Sequence, residues 1–62
     1  MKFRPGTKVR ITDEELIWFG KVPAEGVVAE AHTQAFVDLG FVVVDFDENT
    51  VTLGDRYVEV VQ

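Results

Sequence analysis

Alternation of apolar and polar residues crowds the last third of this chain and leaves little freedom about what it folds into. Residues 41–47 read FVVVDFD, residues 48–50 ENT, residues 50–54 TVTLG and residues 55–61 DRYVEVV. On an extended backbone Val42, Val44 and Phe46 fall on one side and Asp45 and Asp47 on the other, the period of a half-buried strand. Glu48-Asn49 supplies the turn, because asparagine tolerates the left-handed backbone that tight turns use. Val51 and Leu53 then return to the inner face. Gly54-Asp55-Arg56 fits a short bend of one 3₁₀ turn, after which Val58 and Val60 complete the inner side. The pattern predicts a tight hairpin followed by a closing strand, the layout of a very small β-barrel.

The opening of the chain fits the same plan. Pro5-Gly6 makes a turn, and residues 7–12 alternate with Val9 and Ile11 on one face and Lys8, Arg10 and Thr12 on the other. Residues 12–26 form a long excursion in which Thr12 and Glu15 have the spacing of a capping box and Gly20 can end a helical turn. Residues 26–32, GVVAEAH, give a second strand with Val27, Ala29 and Ala31 on one face. In residues 32–40, Thr33 caps a short turn that Gly40 ends, or the segment is a loop.

A competing pattern runs through the middle. Val28, Ala31, Ala35 and Leu39 have helical spacing, with Pro23 near a start and Gly40 just past an end. That helix, about 23–39 packed on an antiparallel sheet, would make the chain α+β. Gly26 and the β-branched pair Val27-Val28 weaken it by about 1–2 kcal/mol in summed propensity, so the all-β reading is favoured.

With 62 residues, one domain is expected, and a chain of this length buries only about 60% of its unfolded surface. Apolar residues at 47% argue against disorder, and the absence of cysteine excludes disulfides, thiolate zinc sites and thiol redox chemistry. No secretory segment is visible and no apolar run nears the roughly 20 residues of a membrane span, so a cytoplasmic protein is expected. The net charge of −5 is unevenly spread. Residues 1–10 hold Lys2, Arg4, Lys8 and Arg10 and no acid, whereas the rest holds Lys21 and Arg56 against eleven acids, a net −9. Most of the surface should repel nucleic acid and anionic membranes, with one strand locally basic.

The strand PGTKVRI, a long loop holding Ile17-Trp18, and then GVV, FVVVDF, TVTL and YVEVV resemble the SH3-like barrel superfamily over nearly the whole chain. The resemblance implies a five-stranded SH3-like barrel with a long first loop. Within that superfamily the chain looks most like the small barrels of electron-transfer accessory subunits, such as the ferredoxin-docking subunit of photosystem I. The matching positions are Gly6, Lys8, Val9, Arg10, Ile11, Trp18, Phe19, Gly26, Val27, Val43 and Val44. That family's third strand is basic, whereas this one carries Asp45-Phe46-Asp47. The segment Gly26-Val27-Val28 also resembles KOW-type barrels, without their basic surplus. The first-loop motif and paired aromatics of signalling SH3 domains are absent.

Candidate chemistry is sparse. Asp45, Asp47 and Asn49 fall at the first, third and fifth positions of a calcium loop, but the sixth is Thr50 instead of Gly and the twelfth is Arg56 instead of Glu. These carboxylates read as the wet face of a hairpin. His32 is the sole histidine and no serine or cysteine is present, so no nucleophilic triad can be assembled; it reads as a solvated loop residue. A barrel this small has no cleft to hold a sugar between paired carboxylates. No enzyme activity, no metal and no cofactor are expected.

The sharper signal is Leu16-Ile17-Trp18-Phe19. Four consecutive large apolar residues cannot all face the core from a loop, and behind Asp13, Glu14 and Glu15 they form an aromatic patch rimmed by acids. That is the composition of an interface hot spot. The alternative is that Trp18 and Phe19 fold back and plug one end of the barrel. Asp13, Glu14, Glu15, Ile17, Trp18 and Phe19 are the candidate docking residues, for a protein partner with a basic or apolar surface. Lys2, Arg4, Lys8 and Arg10 on an edge strand could instead touch phosphates. Edge strands also use such cations to discourage aggregation, which disfavours nucleic acid as the partner. Self-association through Tyr57 and Val61 on the last strand is a further alternative.

Overall fold

The computed structural model describes residues 3–13, 23–47 and 49–61. Five strands lie in one antiparallel sheet: β1 (Lys8–Ile11), β2 (Glu25–Val28), β3 (Phe41–Asp45), β4 (Thr50–Gly54) and β5 (Val58–Val60). A one-turn helix, α1 (Gln34–Asp38), joins β2 to β3, and a 3₁₀ turn (Asp55–Tyr57) joins β4 to β5. The strands are ordered β4-β3-β2-β1-β5. Sheet-dominated architecture is therefore as expected, but the barrel is not closed. Among the described residues no ladder joins β4 to β5; the two form the edges, and β5 spends its pairing on β1.

The entry to β1 is a β-turn in which Thr7 N–H donates to Arg4 carbonyl at 3.0 Å, with Pro5 and Gly6 at its centre and Gly6 at φ +90°. Proline pre-sets the first central residue and glycine accepts the positive φ of the second, the requirement of a type II turn. The turn is tied to the end of β2 by Gly6 N–H to Val28 carbonyl (2.9 Å) and Val28 N–H to Thr7 carbonyl (2.8 Å).

The register sorts side chains onto two faces. Val9 lies opposite Gly26 and Val60, Ile11 opposite Val58, Val28 opposite Val44, Val44 opposite Val51, and Val42 opposite Leu53. With Phe3 and Phe46, this inner face forms the core: Val9, Ile11, Val28, Val42, Val44, Leu53 and Val58 are all buried. Each such side chain contributes about 1.5–3 kcal/mol of transfer free energy. Gly26 sits where other atoms approach the backbone closely. A Cβ there would lie 2.7 Å from Val44 Cγ1, 2.8 Å from the Asp45 carbonyl oxygen and 2.8 Å from Phe46 Cε1. Phe46 can cover the core at this point because residue 26 has no side chain.

Four expectations need correction. The second strand is Glu25–Val28, so its inward residue is Val28, and Val27 points outward opposite Lys8 and Asp45. A one-residue change of register flips every side chain of a strand. The helix over 23–39 is absent: its first part pairs as β2 with both β1 and β3, and only Gln34–Asp38 is helical. Thr33 stands at the N-cap position, though without a side-chain cap bond, and Gly40 at φ +83° follows the helix. Val60 has inward parity but is 41% exposed, since its strand has a neighbour on one side only. In the β3–β4 hairpin Asn49 belongs to the closing pair: Phe46 N–H donates to its carbonyl (2.7 Å), and its N–H donates to the Phe46 carbonyl (3.2 Å).

Candidate docking surface

The chain leaves the sheet after Ile11 and returns at Glu25, and both feet of this connection are fastened. Ile11 N–H donates to the Ala24 carbonyl at 2.7 Å, and Thr12 N–H donates to the Tyr57 carbonyl at 2.8 Å. The second bond ties the outgoing foot to the 3₁₀ turn ahead of β5. Asp13, the first of the candidate docking residues, is half-buried beside this foot. Glu14, Glu15, Ile17, Trp18 and Phe19 lie outside the described residues.

The basic strand is not an edge. β1 lies between β2 and β5, and its two cations each meet a carboxylate from a neighbour. Arg10 pairs with Glu59 through its Nη2 and Glu59 Oε1, and Lys8 Nζ lies 4.0 Å from Glu25 Oε1. Arg10 stands in register with both Glu59 and Glu25, so the outer face carries a row that alternates acid, base, acid. Opposite charges on facing strands attract, while exposure keeps each pair worth at most about 1 kcal/mol. A phosphate approaching Lys8 and Arg10 would also meet Glu25 and Glu59. Arg4 is exposed in the turn before β1, and Lys2 lies outside the described residues.

The carboxylates of the hairpin sit on the exposed side, as their parity requires. Asp45 Oδ1 accepts from Thr50 Oγ1 at 2.5 Å, a cross-strand bond between residues in register. Among the described residues no group of three or more potential ligands could hold a metal ion. Arg56 lies over the Tyr57 ring, its Cζ 4.9 Å from the centroid, so this cation is engaged with its own 3₁₀ turn.

Two features escaped the sequence reading. Leu39 and Phe41 bracket Gly40 at the end of α1 and are 70% and 42% exposed, an apolar tip at the start of β3. In the alternative helix over 23–39, Leu39 shares one face with Val28, Ala31 and Ala35. The other feature is His32, expected in solvent but 2% exposed. Its place follows from how β2 ends. Ala29 N–H donates to the Val43 carbonyl (2.9 Å), continuing the β2–β3 ladder one residue past the strand. The chain then turns, and the Ala29 carbonyl is taken by His32 N–H at 3.0 Å. The Val43 N–H, left without that carbonyl, donates instead to His32 Nδ1 in a long hydrogen bond of 3.4 Å. The ring thus replaces a backbone acceptor for Val43, whose side chain is buried on the outer face of β3. Phe36 of α1 packs on the ring, centroids 6.1 Å apart and planes tilted by 32°. Nε2 is buried with no hydrogen-bond partner.

No family model matches the sequence, and no curated protein and no solved structure matches it.

Proposed function

We propose that the chain is a small non-enzymatic module with an SH3-like arrangement of strands that docks a partner protein through its first loop. The observation that carries this reading is the fastening of the loop's feet. A connection whose ends are held by Ile11 N–H to Ala24 and Thr12 N–H to Tyr57 is firmly rooted on the sheet, and binding residues on small scaffolds are commonly carried between such strands. The core supports the same reading, since Phe3, Phe46 and the valines occupy the space between the strands and direct contacts outward. The meander order with a 3₁₀ turn between β4 and β5 supports the SH3-like part.

In this reading Asp13, Glu14 and Glu15 steer toward a basic surface and Ile17, Trp18 and Phe19 anchor it. Charge run and apolar run are adjacent in sequence, so one partner surface meets both. An accessory subunit of a larger complex works in the same way. The test replaces Trp18 and Phe19 by alanine and compares proteins captured from native lysate, with circular dichroism as the check on folding. Loss of specific captured proteins by a folded double variant is expected. Unchanged capture refutes the assignment.

A further inference from the structure

We propose that the outer edge of β4 is a self-pairing surface, on which a second copy of this chain docks its own β4 antiparallel about a two-fold axis at Val51. The argument starts from which backbone groups are spare. Phe46 and Asn49 exchange both N–H to carbonyl bonds, and Asp55 N–H donates to the Gly40 carbonyl. In an antiparallel ladder such pairs alternate with pairs that exchange none. The register therefore turns Val51 and Leu53 toward β3, opposite Val44 and Val42, and turns Thr50, Thr52 and Gly54 away from it. Among the described residues no strand lies on that side of β4. Gly54 is the N-cap of the 3₁₀ turn, so its carbonyl belongs to that turn. Thr50 and Thr52 are left with a complete set, an N–H and a carbonyl each.

A second β4 answers this set group for group. With Val51 opposite Val51, Thr50 of each copy exchanges both bonds with Thr52 of the other, and none of these groups is left over. The side chains agree with this register. On the outer face it sets exposed threonine against exposed threonine, a favourable cross-strand pair. On the inner face it sets Val51 against its own copy. Val42, Val44 and Leu53 are buried on that face, whereas Val51 packs on the core but stays half-buried. The match of both faces about one axis selects a second copy as the occupant.

Charge does not oppose the seam. Each chain carries a net −5, but residues 49–54 hold no ionisable side chain. Edges that avoid pairing use charges, proline, a bulge or a short strand. β4 has five residues in unbroken register and none of these guards. The opposite edge is guarded: β5 has three residues, carries Glu59, and its Val58 N–H is taken by the Asp55 carbonyl. Pairing of β4 with β4 is therefore favoured over β4 with β5, and it closes at two copies instead of growing.

The seam is short beside the roughly 1,200 Å² that a stable interface buries, so the dissociation constant should lie at roughly 0.1–1 mM. Sedimentation equilibrium between about 0.02 and 2 mM should show monomer passing to dimer with no larger species. Over the same range, exchange of the Thr50 and Thr52 amides, read by NMR, should slow by about two- to sevenfold, while that of Val60 on the β5 edge should not change. Thr52→Pro removes an outward N–H that β3 does not use. Its circular dichroism should match the wild type, while its dissociation constant should rise at least about tenfold, because two of the four bonds are lost. The wild-type exchange pattern decides the matter even where the variant fails to fold. A monomer throughout, species larger than a dimer, or concentration dependence at Val60 or at Leu39 and Phe41 without the two threonines overturns the proposal. So does a folded Thr52→Pro chain that dimerises as the wild type does.

Discussion

Replacing Gly26 by alanine tests the closest approach at any glycine among the described residues. The added methyl would stand 2.7–2.8 Å from three atoms: Val44 Cγ1, Phe46 Cε1 and the carbonyl oxygen of Asp45. The two side chains can give by rotation, but the carbonyl belongs to β3 and moves only with its strand. Overpacking of this kind costs about 1–3 kcal/mol. Alanine also narrows the unfolded ensemble, which returns about 0.4–1 kcal/mol. Because one of the three neighbours is backbone, the cost falls toward the upper end, for a net loss of about 2 kcal/mol. A chain of 62 residues has about 3–9 kcal/mol of stability in total. The melting temperature should therefore fall by about 8–16 °C, and the urea midpoint by roughly 2 M at an m-value near 1 kcal/mol/M. Gly40→Ala is the control: there φ is +83° and nothing lies within 4 Å of the added atom, so only backbone strain acts. Its loss should be smaller, about 1 kcal/mol or less after the same entropic return. Thermal and urea denaturation followed by circular dichroism measures both. If Gly26→Ala melts within about 2 °C of the wild type, or if Gly40→Ala loses more, the close approach of β2 to β3 and Phe46 is not what limits residue 26.

Phe3→Ala should remove about 3–5 kcal/mol, because the ring is fully buried in the core cluster; the variant should be largely unfolded at 37 °C by circular dichroism, and a stable fold would remove Phe3 from the core. Arg10→Ala should cost no more than about 1 kcal/mol, since its partner Glu59 is as exposed as itself, and the difference should shrink in 1 M salt. A larger or salt-independent loss in urea denaturation would show that the pair does more than its exposure allows.

The hairpin and the first strand were legible in the sequence because alternation is a local signal. Val9 and Ile11, Phe46 and Leu53 each have polar or turn residues on both sides that settle which side is wet, and all are buried. The 3₁₀ bend was readable for a similar reason, since glycine punctuates the chain, whereas residues 32–40 read equally as a short turn ended by Gly40 or as a loop, and the first is what forms. The docking residues were legible only as composition: the acid run next to Leu16-Ile17-Trp18-Phe19 points to a partner surface, and of the candidates named there the structure describes Asp13 alone.

Where two valines are adjacent, alternation does not say which one goes in. Val28 is inside and Val27 outside because β2 is in register with β1 and β3, and register is a property of three strands together. Val43 is buried, against the parity of its own strand, on a strand against which α1 packs. Val60 is exposed, in keeping with no pattern in its own segment, because the sheet ends at β5. His32 reads as a polar loop residue until the end of β2 leaves the Val43 N–H without a carbonyl, eleven residues away. The sequence by itself determined which segments extend and where they turn, because both depend on neighbours along the chain. Tertiary structure decided the faces, the edges and the buried histidine, because each depends on a partner that only folding brings near.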